Sequence, residues 1–214
     1  MTTVIVVAER DEKGEIVQST RQAVTAASNL PDAQISVVIT GDAPGSATSL
    51  PVGRVVTIAP IESTDNGIYD QATADLAALV SADSPDVVMF SKSDFGSVVG
   101  ARLAFRIGAA FAPDCVEISG DASDAGTIGV TRPVYGGSAL AEFEIASSPA
   151  IVTLRAGAFE PNTETGAPVV ESFDTDGLER KPVEVSESVA ESREGVRLED
   201  ADFVVSGGRG LGGP

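Results

Sequence analysis

Four apolar runs constrain what this chain can fold into. Thr3–Ala8 (TVIVVA), Gln34–Thr40 (QISVVIT), Arg54–Ala59 (RVVTIA) and Asp86–Ser91 (DVVMFS) are short, rich in β-branched residues and largely continuous. A strand with one wet face alternates apolar and polar residues, whereas a strand buried on both faces does not. Runs of this kind require a parallel sheet with helices covering both of its faces.

The stretches between them supply those helices. Ser19 or Thr20 can cap a helix through about Ser28, with Ala23, Val24, Ala26, Ala27 and Leu30 at rough helical spacing and Asn29-Leu30-Pro31 as its stop. Tyr69–Ser81 turns Ala72, Leu76, Leu79 and Val80 inward, and Ser84-Pro85 ends it. A third helix is expected from about Ser97 to Ile107, where Gly96 and Gly100 allow close packing on a strand. Phe111–Ile118 reads as a turn and a short strand.

From Gly120 the rhythm changes. Thr127–Pro133, Ser138–Ile145 and Ala150–Arg155 read as short strands joined by turns, without helices, and are expected to be antiparallel. Leu140, Phe143 and Ile145 fall among polar neighbours there, as in a half-exposed strand. Pro168–Ser172 and Pro182–Ser186 are further strand candidates. The predicted class is α/β, a mainly parallel sheet with helices on both faces plus antiparallel strands.

Three parts are expected along the chain: an α/β domain over residues 1–186, a polar, charged linker over 187–199, and the opening of a second α/β domain over 200–214. In the last part Phe203-Val204-Val205 is a strand signal that runs into Ser206-Gly207-Gly208-Arg209-Gly210. A strand ending in glycines needs a helix to pack back on it, so the expectation is a truncated second domain. Glycines let backbone N–H groups approach a ligand, and Arg209 adds a charged planar fork. Together they point to a nucleotide or flavin, with Gly207, Gly208, Arg209 and Gly210 as candidate cofactor contacts. A frayed glycine-rich tail is the plainer alternative.

Composition closes off several functions. The formal net charge is −18 and the lysines are Lys13, Lys92 and Lys181 alone, so nucleic acid and anionic membrane surfaces are poor partners. Such a surface fits a protein kept soluble at high salt, and a halophilic source is expected. No apolar run approaches the roughly 18 residues of a membrane helix, and the N-terminus lacks a basic signal region, so a cytoplasmic location is expected. There is no histidine and one cysteine, Cys115. Ser–His and Cys–His catalysis, an internal disulfide and a cysteine metal site are thereby excluded. No carboxylate pair stands out, and no catalytic or metal residue is assigned. The first strand-to-helix turn, Glu9-Arg10-Asp11-Glu12-Lys13-Gly14, is long, acidic and without a glycine fingerprint, which argues against a bound pyrophosphate.

Three stretches carry a resemblance: Ser206-Gly207-Gly208-Arg209-Gly210-Leu211 after an apolar strand, Thr131-Arg132-Pro133-Val134-Tyr135-Gly136-Gly137-Ser138-Ala139, and Val152-Thr153-Leu154-Arg155-Ala156-Gly157-Ala158-Phe159. In order and spacing the chain resembles the alpha subunits of electron transfer flavoprotein along essentially its whole length. The third stretch departs from the family pattern at Ala156, where proline is commoner. The resemblance implies an N-terminal domain of the adenine nucleotide alpha-hydrolase-like kind and a C-terminal flavin domain. It implies FAD as cofactor, its site incomplete in this chain, and a beta subunit as heterodimer partner; AMP, where present, belongs to that beta subunit. It also implies an electron carrier, not an enzyme, working between dehydrogenases, notably acyl-CoA dehydrogenases, and a membrane quinone oxidoreductase. Carried over by position, Arg209 is the family's FAD contact, its charge favouring anionic reduced flavin, and Gly207, Gly208 and Gly210 shape the loop presenting it. Arg132, Tyr135 and Arg155 read equally as interface or hinge residues and as structural ion-pair and turn residues. Two alternatives stand beside this reading: an ATP-using enzyme in which Ser206-Gly207-Gly208 opens a phosphate loop, and a structural domain that docks a partner without cofactor.

Overall fold

The computed structural model describes residues 1–61, 69–121, 127–146, 148–175, 178, 203, 205–208, 210 and 212. Ten strands and three helices follow in the order β1 (Thr2–Val7), α1 (Gln18–Ser28), β2 (Ala33–Thr40), β3 (Arg54–Ile58), α2 (Asp70–Asp83), β4 (Val87–Ser91), α3 (Asp94–Ile107), β5 (Ala110–Cys115), β6 (Glu117–Asp121), β7 (Thr127–Val134), β8 (Ala139–Ile145), β9 (Ala150–Leu154) and β10 (Val169–Ser172). Seven strands form one sheet in the order β10-β3-β2-β1-β4-β9-β5, and every pairing in it is parallel. The other three form an antiparallel sheet, β6-β7-β8.

The four apolar runs are β1 to β4, and they are buried on both faces because each residue of the pleat meets a different layer. Val4 and Val6 of β1 pack with Ala23, Val24 and Ala27 of α1. Ile5 and Val7 pack instead with Leu76 and Leu79 of α2 and Val99 and Leu103 of α3. Helices on both faces are thus found as expected. Ile118, Ile128, Val130 and Ile145 of the small sheet join the layer that contains α1.

Ala150–Leu154 is a correction. It is not antiparallel; it inserts parallel between β4 and β5, all five residues buried. The turn-rich sequence before it masked a continuous apolar run of the same kind as β1 to β4. After β9 the chain crosses the α1 side of the sheet to reach its far edge. Gly157 N–H donates to Gln22 Oε1 at 3.2 Å, Asn162 N–H to the Arg21 carbonyl at 3.2 Å, and Gly166 N–H to the Ser49 carbonyl at 3.0 Å. β10 then pairs with β3, held by the Arg54–Glu171 ion pair at 2.9 Å.

Local differences have local causes. α1 begins at Gln18 with no side-chain cap. Thr20, expected as a cap, is buried, and its hydroxyl accepts the Glu9 N–H at 3.1 Å. α3 starts earlier than expected because Ser93 caps it, its hydroxyl accepting the Gly96 N–H at 2.9 Å. Phe203 and Val205 lie outside any strand and are 91% and 98% exposed. An apolar run becomes a strand only when its backbone groups find partners, and these find none among the described residues. Pro182–Ser186 and the expected linker over 187–199 lie outside the described residues.

Candidate functional site

Open α/β sheets bind ligands beyond the carboxyl ends of their strands, where the strand order reverses. Here the reversal falls between β1 and β4, since the chain runs from β1 to β2 on one side and returns to β4 on the other. A cavity of about 520 Å³ lies at that place, lined by Glu9, Arg10, Asp11, Thr40, Pro60 and Phe95 among others. It is held by the protein's own groups. The Ser93 hydroxyl at the α3 N-terminus donates to Glu9 Oε1 at 2.7 Å, so a side-chain carboxylate stands where an anionic ligand would be favoured. Burial raises the Glu9 carboxyl above its ordinary pKa; the Ser93 hydrogen bond opposes this, and the Asp94 charge adds to it. The Arg10 guanidinium is spent on the carbonyls of Thr40 and Asp42. The acidic turn noted in the sequence therefore lines the crevice with a carboxylate as well as lacking a glycine fingerprint.

Two of the three motif stretches flank the end of β5: Arg155 N–H donates to the Cys115 carbonyl at 2.9 Å, and Val116 N–H to the Thr131 carbonyl at 2.8 Å. Arg155, just past β9, donates Nε to Asp114 Oδ1 at 2.9 Å and Nη2 to Asp114 Oδ2 at 2.6 Å. Lys92, just past β4, reaches Asp114 Oδ2 at 3.0 Å. Asp114 sits at φ +64, on the bulged end of β5, and ties the ends of three strands together. The Arg155 hydrogen bonds, aided by Lys92, hold the Asp114 carboxyl below the ordinary aspartate range, against its partial burial. Arg155 thus takes the ion-pair role. Arg132 does not: its Nε is buried with no acceptor among the described residues. Cys115 beside it is fully buried, and burial pushes its thiol up to about 11, with Arg132 opposing and Asp114 reinforcing the shift.

The remaining motif residues shape a hairpin. Tyr135, Gly136 and Gly137 all have positive φ, of 51°, 66° and 92°, at the turn between β7 and β8. Tyr135 stands 86% exposed at the tip. Leu140 and Phe143 on β8 are 64% and 46% exposed. Pro133 is tolerated in β7 because β6 pairs only as far as Thr131. The hairpin thus exposes a tyrosine on a left-handed backbone beside a strand with two large apolar side chains in solvent.

Of the residues expected to touch a cofactor, Gly207, Gly208 and Gly210 are exposed. No atom lies within 4 Å of a Cβ built on Gly208 or Gly210. Arg209 lies outside the described residues. Glu9 was legible only as part of an acidic turn, and the roles of Ser93 and Asp114 went unnoticed in the sequence. The available signal was Ser93-Asp94-Phe95-Gly96, a cap sequence directly after an apolar strand. No group of three or more acidic or cysteine ligands placed for a metal occurs among the described residues.

Fold and crevice together define a parallel-sheet α/β domain whose crevice is lined by an acidic turn. Residues 4–178 match the family of the electron transfer flavoprotein domain. The electron transfer flavoprotein subunit alpha of Mycobacterium leprae is 28% identical over 221 residues, covering 99% of this chain and 66% of its own length. The probable mitochondrial alpha subunit of Caenorhabditis elegans is 28% identical over 216 residues, covering 99% of this chain and 62% of its own. The alpha subunit of Syntrophomonas wolfei is 32% identical over 146 residues, covering 66% of this chain and 44% of its own. The chain belongs to the electron transfer flavoprotein family, on the alpha-subunit side, and spans less than two thirds of the length of these relatives.

Proposed function

We propose that this chain acts as an electron carrier subunit in which residues 1–186 form the partner-binding α/β domain, 187–199 the linker and 200–214 the first edge of an FAD pocket. The subunit pairs with a beta subunit in the cytoplasm and has no substrate of its own. Electrons arrive from dehydrogenases, acyl-CoA dehydrogenases being the expected class, and leave to a membrane quinone oxidoreductase. The observation that supports this most is the family match along residues 4–178, on a fold whose own crevice is lined by Glu9 and Arg10.

The loop at Gly207, Gly208 and Gly210 presents Arg209 to the flavin. The bound flavin supplies one- and two-electron chemistry. Arg209 supplies a fixed positive charge, which favours the anionic reduced forms.

The test is to produce the chain with and without a beta subunit from the same genome and to pass each over gel filtration in the presence of FAD. A heterodimer is expected. Flavin absorbance is expected to follow the heterodimer and to be weaker in the chain alone. Equal flavin in the two would overturn a pocket that needs both subunits, and the absence of any heterodimer would overturn the pairing.

A further inference from the structure

We propose that the free edge of β8 is a docking strand for an extended, basic segment of the partner subunit. This rests on the reading above that the chain pairs with a second subunit, and adds where and by what chemistry.

Among the described residues β8 has one neighbour, β7, and its outer edge is open along Ala139–Ile145. Open edges are normally blunted by charged side chains, lysine above all, by proline or by a bulge. β8 (ALAEFEI) has no lysine, proline or bulge; its charges are Glu142 and Glu144, and its register with β7 runs unbroken from Ile145 to Ala139. The edge is therefore a usable template for another strand.

Its two faces specify the occupant. Ala139, Ala141 and Phe143 lie on the face paired with Val134, Arg132 and Val130. Leu140, Glu142 and Glu144 lie on the other, where a groove of about 520 Å³ is lined by Glu117, Glu142 and Glu144 with Ser119 and Thr131. A strand added to this edge must place apolar side chains beside Phe143 and Ala141. At alternate positions it must place groups that tolerate Glu142 and Glu144, which means lysine or arginine.

A second copy of this chain fails that condition. Antiparallel self-pairing about Phe143 sets Glu142 opposite Glu144 twice, between two bodies each of net charge −18. The glutamates block self-association yet leave the edge open to a basic strand.

The test uses E142K/E144K, with E160K/E164K as a control of equal charge change at exposed positions elsewhere, and circular dichroism to verify folding of both. Partner binding to the beta subunit is expected to weaken by about tenfold or more in E142K/E144K and to change little in the control, the size expected for charge reversal at an interface. In a second arm, a short synthetic peptide of alternating lysine and valine is expected to shift the β8 backbone amide resonances, and its glutamate–valine counterpart is not. Equal loss in both double variants would reduce the effect to overall charge and overturn the proposal. Unchanged binding in E142K/E144K, with the wild type still pairing, would place the partner on another surface and leave the subunit reading intact. If the wild type pairs with no beta subunit, that reading fails, and the peptide arm decides the edge by itself. Wild-type self-association abolished by E142K/E144K would assign the edge to a second copy, against the proposal.

Discussion

Tyr135 holds a left-handed backbone at an exposed tip, a conformation that costs a non-glycine residue about 1–2 kcal/mol. Little in the domain itself repays that cost, since the ring is almost wholly in solvent. Tyr135→Gly is therefore expected to raise domain stability by about 1 kcal/mol in urea melts, while weakening partner binding. A destabilised variant would show that the ring packs on the fold. Asp114 works in the opposite direction. Its carboxyl is depressed by Arg155 first and Lys92 second, so the folded state prefers it ionised. The stabilisation is present above the ordinary aspartate pKa of about 4 and disappears as pH falls through the lower folded value. Asp114→Asn should melt below the wild type at neutral pH, and the two should converge in strong acid; a gap independent of pH would remove the ion cluster from the explanation. Cys115, buried and with its thiol pushed up to about 11, should resist thiol reagents in the folded protein at mild alkaline pH and react on unfolding. Fast labelling of the native state would contradict its burial.

At the scale of elements, α3 and β4 show why helix-to-sheet contacts are hard to read in advance. Gly96 lies in the first turn of α3, and a Cβ there would overlap the Ser91 carbonyl oxygen, with Phe90 Cβ only 3.1 Å away. The clash is with backbone, which cannot rotate aside. Gly96→Ala should cost about 3 kcal/mol, at the upper end for overpacking, and be visible as a lower urea midpoint. If it melted with the wild type, α3 would have to ride higher on the sheet. The sequence shows Gly96 and Gly100 as small residues near a helix start, but not which surface they meet. β9 teaches a related lesson. Its composition, AIVTL, is that of a central strand, yet its neighbours in sequence belong to an antiparallel hairpin. Pairing is chosen by which slot in the sheet lacks a strand, and local sequence carries no record of that slot. α1 shows a third case: Thr20 looks like a cap but is pulled inward to accept the Glu9 N–H, a contact from the preceding loop.

At the scale of the whole molecule, charge is the property that most separates this protein from its folded core. With a net charge of −18, the surface repels itself, and the compact state is opposed by that repulsion. The Debye length falls from about 10 Å at 0.1 M salt to about 3 Å at 1 M. Thermal midpoints should rise as potassium chloride is added over that range; a flat or falling series would count against a surface adapted to high salt. Among the described residues no helix is long and apolar enough to cross a membrane. What the chain's residues settled without coordinates was the fold class, because β-branched runs with no alternation can be buried only inside a covered parallel sheet. The acidic lining of the crevice was half-visible in the same way, since a long acidic turn without a glycine fingerprint is a poor cradle for a phosphate. The strand order, the passage of the chain from β9 to β10, the clasp of Asp114 with Lys92 and Arg155, and the open edge of β8 came only from the tertiary structure. Each joins residues far apart in sequence, and such meetings are fixed by packing and chain closure, not by the local pattern of side chains.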